Sequence, residues 1–150
     1  MRIYDNKAIQ NFMFAGRAVF TLKSTRTGTR FTYKLCRKKD EPEVFYLHVL
    51  VAPDLYKFTG VVAKVPTYTY KGFSYNHSFK KGQLQFKAPS VQAFDWFLRH
   101  VQESNIIHPK LEFWHEGKCG KCGRALTVPE SIATGLGPDC AAAAGVRWAA

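Results

Sequence analysis

In two runs between Arg17 and Arg37 apolar and polar residues alternate with a period of two, which fits strands that expose one face and does not fit helices. In Arg17–Lys23, Ala18, Phe20 and Leu22 share one face, and Arg17, Val19, Thr21 and Lys23 share the other. Ser24–Gly28 has the composition of a turn. Thr29–Arg37 then alternates again, with Phe31, Tyr33 and Leu35 opposed to Arg30, Thr32 and Lys34. Paired as a hairpin, the two runs place Arg17, Lys23, Arg30 and Lys34 on one outer face. Val44–Val51 is apolar on both faces and predicts a central strand, and Pro53-Asp54 turns the chain into a strand over Lys57–Lys64. A further hairpin is expected from Phe73–Phe79 and Gln83–Lys87 around Lys80-Lys81-Gly82. Five or six short-turned strands predict a small antiparallel sheet or barrel.

Helical spacing returns after Pro89-Ser90, where Val91, Phe94, Phe97, Leu98 and Val101 form a stripe expected to pack on the sheet. Arg99, Gln102 and Glu103 fall on its other side, and Asp5–Phe14 reads as a short helix. The predicted class is α+β. With 150 residues, one main domain with a small appended module is expected. We divide it into a basic β-rich domain over 1–110, with its helix near 90–104, and a module over 111–150. An aromatic content of 15% and a hydrophobic content of 46% are too high for a disordered basic tail. Apolar runs fall well short of the roughly 20 residues a membrane span needs. Met1-Arg-Ile-Tyr-Asp5 leads straight into mixed polar sequence, so a cytoplasmic protein without membrane partners is expected.

The formal net charge of +11 is unevenly distributed. The first forty residues carry ten Lys/Arg against Asp5 and Asp40, whereas positions 91–150 carry six cations and six acids. Arg17, Lys23, Arg26, Arg30, Lys34, Arg37, Lys38 and Lys39 are therefore candidate phosphate contacts, because a merely solubilising face mixes signs. A second segment places Tyr68, Tyr70, Phe73, Tyr75 and Phe79 among Lys71, His77, Lys80 and Lys81. Cations that track phosphates beside rings that stack bases are how single strands are held. Phe73, Tyr75 and Phe79, spaced by two, read as a core-facing row. Tyr68 and Tyr70, in a Pro-led loop-like stretch, read as exposed stackers.

Cys119-Gly-Lys-Cys122-Gly123 resembles a zinc knuckle, in which two intervening residues let both sulfurs face one ion. Cys140 follows Pro138-Asp139 in what reads as a first helical turn, where a thiolate is favoured. A knuckle followed by a ligand-bearing helix resembles a treble clef. His115 is the first candidate for a fourth ligand and Cys36 the second, and the expected zinc is structural.

The run from Phe113 to Cys140 contains Cys-Gly-Lys-Cys-Gly-Arg-Ala-Leu-Thr, Pro-Glu-Ser-Ile and Gly-Leu-Gly-Pro-Asp-Cys. It resembles the C-terminal motif of small phage and prophage proteins of unassigned function, and Phe20-Thr-Leu, Thr27–Tyr33 and Phe94–Phe97 are similar to the same group. The resemblance implies a zinc-binding tail and a mobile-element origin, but no particular activity.

Enzymatic signatures are missing: there is no G-x-S-x-G, no Walker loop and no H-E-x-x-H. Thr134-Gly-Leu-Gly-Pro138 lies inside the cysteine module and follows no strand, so it makes a poor phosphate cradle. The leading expectation is a non-enzymatic protein that binds single-stranded DNA or RNA. The alternative is an inhibitor of a host defence complex, a CRISPR effector or restriction nuclease, acting by protein contact. A zinc-dependent nuclease is the third reading.

Overall fold

A computed structural model describes residues 1–64, 66–72, 88–104, 109–126 and 129–143. Among the described residues seven strands form one sheet: β1 (Arg2–Ile3), β2 (Arg17–Ser24), β3 (Arg30–Lys38), β4 (Glu41–Ala52), β5 (Leu55–Lys64), β6 (Tyr68–Gly72) and β7 (Leu111–His115). Their order is β1-β7-β2-β3-β4-β5-β6, with every adjacent pair antiparallel. Among the described residues the order is linear, and β1 and β6 do not pair to close a barrel. The β2–β3 hairpin has the expected register, pairing Arg17 with Cys36 and Lys23 with Arg30. Gly28 takes φ +73° in its turn. The hairpin expected over 73–87 lies outside the described residues.

One face of the sheet is covered by α1 (Asn6–Met13) and α2 (Pro89–Glu103). Asp5 caps α1, its carboxylate accepting from the Ala8 N–H at 2.9 Å. Ile9, Phe12 and Met13 of α1 and the expected stripe of α2 are buried against Phe20, Tyr33, Leu35, Phe45, Leu47 and Phe113. The two helices share polar contacts as well. Asn6 and Gln10 each donate to the Val101 carbonyl at 3.0 Å, and Asn6 also donates to that of Ser104. In this way α1 satisfies carbonyls that the last turn of α2 would leave without partners. Buried Tyr33 donates its hydroxyl to the Ser90 carbonyl at 2.6 Å and so ties the sheet to the first turn of α2.

Three expectations change here, at β4, at β6 and at Gln102. Val44–Val51 is central within β4, as expected, but Tyr46, His48 and Leu50 on its second face are half-buried, not covered. The stretch read as a loop around Tyr68 and Tyr70 is strand β6. Gln102 does not face solvent: its amide takes the Tyr68 N–H at 2.8 Å and gives to the Tyr68 carbonyl at 2.7 Å, pairing with the strand as another strand would. β7, at the start of the cysteine-bearing segment, is hydrogen-bonded between β1 and β2. Among the described residues, no helix is long and apolar enough to cross a membrane.

Candidate metal centre and open sheet face

After β7 the chain folds a tight hairpin. Lys118 bridges Ala125, the Cys119 N–H donates to the Arg124 carbonyl at 2.8 Å, and the Gly123 N–H donates to that of Cys119 at 2.9 Å. Gly123 takes φ +78°, the left-handed turn expected of a knuckle glycine. Gly120 serves a different end, because a Cβ there would sit 2.9 Å from the Phe12 carbonyl oxygen. The Gly120 carbonyl accepts from the Arg17 N–H at 2.6 Å and its N–H donates to Gly135 at 2.8 Å. The knuckle is thereby docked to α1, β2 and the segment between α3 (Pro129–Thr134) and α4 (Pro138–Ala143).

Cys140 stands in α4, and its sulfur joins those of Cys119 and Cys122 in a cluster whose atoms all lie within 4.8 Å of one another. Such a group can hold a metal ion. As bare thiols, Cys119 and Cys140 are shifted in opposite directions. Burial raises Cys119, but hydrogen bonds from the backbone at Cys122, Gly137 and Lys121 more than offset it and bring it to about 7. Burial pushes Cys140 up to about 11, reinforced by its hydrogen bonds with Cys119 and Cys122. A shared divalent cation removes this competition, since it favours the thiolate at every ligand.

His115 is not part of that cluster. Its Nδ1 accepts from the Gly117 N–H at 2.9 Å, which leaves Nε2 to donate to the Ile132 carbonyl at 2.7 Å. Both ring nitrogens are occupied in clamping β7 to the knuckle and α3, and burial holds the ring below the ordinary imidazole range. Cys36 is also outside the cluster. It shares with Cys119 the wall of a cavity of about 210 Å³ that also touches Arg17, Lys34, Lys118 and Glu116.

This cavity opens on the sheet face opposite the helices. That face carries Arg17, Lys23, Arg30 and Lys34, all at least partly exposed as the alternation requires, with Lys71 at its β6 edge. It also carries aromatics that the sequence reading missed. Tyr46 and His48 of β4 pack on Phe58 of β5, with centroids 5.8 and 5.4 Å apart. The Lys34 ammonium lies 5.5 Å over the Tyr56 ring, and Trp114 of β7 is 36% exposed beside Thr21. Tyr46, Tyr56 and Trp114 share a strand face with the cations only through the strand register, so no local pattern marks them.

Several predicted contacts fall elsewhere. Tyr70 is 6% exposed, with its hydroxyl bonded to Thr59, because it faces the helices and not solvent. Tyr68 stacks on Phe14 at 3.6 Å. Arg37 points to the helix side, donating to the Phe14 carbonyl at 2.9 Å and the Pro42 carbonyl at 3.1 Å. Lys38 is paired with Glu41 at the strand end. Arg26 and Lys39 are exposed in the turns at opposite ends of β3. Lys80 and Lys81, with His77, Phe73, Tyr75 and Phe79, lie outside the described residues.

An antiparallel α+β sheet with a three-thiol cluster in its C-terminal segment is the class that fold and site define. Residues 110–145, from the start of β7 past the end of α4, match a family of unknown function (DUF6011). No curated protein and no solved structure matches the chain.

Proposed function

We propose that this protein binds single-stranded nucleic acid along the open face of its sheet, with a structural zinc at Cys119, Cys122 and Cys140 bracing one end of that face. The observation that carries this reading is the company the cations keep. Arg17, Lys23, Arg30 and Lys34 stand on one face with Tyr46, Tyr56, Phe58 and Trp114, and no described helix packs on it. Phosphates follow the cations, and bases stack on exposed rings at about 1–3 kcal/mol each. Zinc is favoured over other metals by the thiolate-rich donor set and the knuckle-then-helix order. The fourth ligand is either His115, whose Nε2 would have to release Ile132, or Cys36 across the shared cavity. The tail motif resembles phage and prophage proteins, so the setting we propose is a mobile element in a host cytoplasm.

Fluorescence anisotropy with a labelled single-stranded oligonucleotide, titrated with salt, tests the reading. We expect sub-micromolar affinity at low salt and a linear fall of log K with log salt. Arg30→Glu with Lys34→Glu should weaken binding at least tenfold, as about 1.4 kcal/mol or more is lost with two reversed charges. Binding no tighter than that of a neutral control protein overturns the proposal. A stoichiometric protein partner recovered from lysate after nuclease treatment would point to inhibition of a host defence complex instead.

A further inference from the structure

A second basic concavity lies on the helix side of the sheet, away from the face that carries the proposed strand site. It encloses about 520 Å³, within the range of small-molecule sites, and no carboxylate lines it among the described residues. Four cations from four distant segments line it: Lys7 of α1, Arg37 of β3, Lys64 of β5 and Lys121 of the knuckle. The ion pairs found among the described residues, Lys38–Glu41 and Arg99–Asp95, involve none of them. Arg37 is fixed without being neutralised, since among the described residues its guanidinium donates to backbone carbonyls, those of Phe14 and Pro42, and pairs with no carboxylate. The Lys64 ammonium lies 5.7 Å over the Tyr68 ring, which in turn stacks on Phe14 at the cleft wall. Like charges converging on one hollow repel each other, and their field concentrates anions there.

We propose that this cleft binds a phosphate-bearing ligand of nucleotide size, its phosphates held by Lys7, Arg37, Lys64 and Lys121. The ligand is either a free nucleotide or the phosphorylated end of a strand. Lys121 lies between Cys119 and Cys122, and Cys140 contributes to the same wall, so the metal centre holds one side of the site. The inference does not rest on strand binding at the open face.

The test uses the full chain, titrated with ATP, with tripolyphosphate and with one oligonucleotide bearing either a 5′-phosphate or a 5′-hydroxyl. Lys7 and Lys64 are both exposed, so Lys7→Glu/Lys64→Glu should fold, which circular dichroism checks. We expect this double variant to lose at least tenfold in affinity for ATP and tripolyphosphate, while Arg30→Glu/Lys34→Glu binds them as the parent does. A gain from the 5′-phosphate that disappears in the Lys7/Lys64 variant assigns the site to a strand end. ATP binding without such a gain assigns it to a free nucleotide. Equal binding of ATP and tripolyphosphate by the parent and the Lys7/Lys64 variant, or no binding by the parent, overturns the proposal.

Discussion

Single residues set how closely the cysteine segment approaches α1. Gly135 takes φ +71°, and a Cβ there would run into the Phe12 ring, so both backbone and space require glycine. Gly137, two residues on, has an ordinary φ and open space around it. Gly135→Ala should therefore lower stability by about 1–3 kcal/mol or more, with Gly137→Ala near neutral, in urea denaturation monitored by tryptophan fluorescence. His48 gives a second residue-level expectation. Burial, with Lys34 adding repulsion, holds its imidazole below the usual 6.5. Because the folded-state pKa is the lower one, the neutral ring contributes stability above about pH 6.5 that is lost as pH falls through the folded value. NMR titration should find His48 titrating below 6.5, and a bound oligonucleotide should raise that value by bringing phosphates to the same face. The fourth ligand is also a one-residue question. If it is His115, cobalt-substituted His115→Ala will lose its tetrahedral visible spectrum while Cys36→Ser keeps it, and the reverse holds if it is Cys36.

At the scale of elements, the apolar stripe of α2 and the alternation of β2 and β3 were legible because each pattern is local and its period is unambiguous. β6 was not. Its five residues follow Pro66 and alternate as a strand does, with Tyr68 and Tyr70 inward and Thr69 and Lys71 outward, but so short a run also reads as a loop. What fixes it is pairing with β5 on one side and the Gln102 amide on the other. Gln102→Leu should cost about 1–2 kcal/mol by leaving Tyr68 backbone groups unpaired, and hydrogen exchange at the Tyr68 amide should speed up more than in β3. β1 was missed for a similar reason: two residues, Arg2 and Ile3, carry no periodicity, and only their pairing with Trp114 and Phe113 defines a strand.

For the whole molecule, the three-thiol cluster sits between two basic surfaces, with Cys119 bordering the open-face cavity and Cys140 the helix-side cleft. The cations of the described residues at these two surfaces are thus separated by the sheet. Removing the zinc proposed there should loosen the cysteine segment and its contacts with α1 while the β2–β5 core, built from Phe20, Tyr33, Phe45 and Leu47, stays folded. A chelator titration followed by near-ultraviolet and far-ultraviolet circular dichroism checks this. We expect a lower melting temperature, with the β signal at 25 °C retained.

The sequence alone determined the antiparallel α+β class, the β2–β3 hairpin and the cations of its outer face, the buried stripe of α2, and the cysteine set. These follow from periods of two and 3.6 and from thiol spacing, all written into neighbouring residues. Tertiary structure decided which aromatics join the cations, since Tyr46, Tyr56 and Trp114 come from strands whose register no local pattern states. It also turned Tyr70 inward, sent Arg37 to the helix side, and committed both nitrogens of His115 to backbone partners. Those outcomes depend on which strand lies beside which, and the pairing of β7 between β1 and β2 is a contact between chain segments roughly ninety residues or more apart.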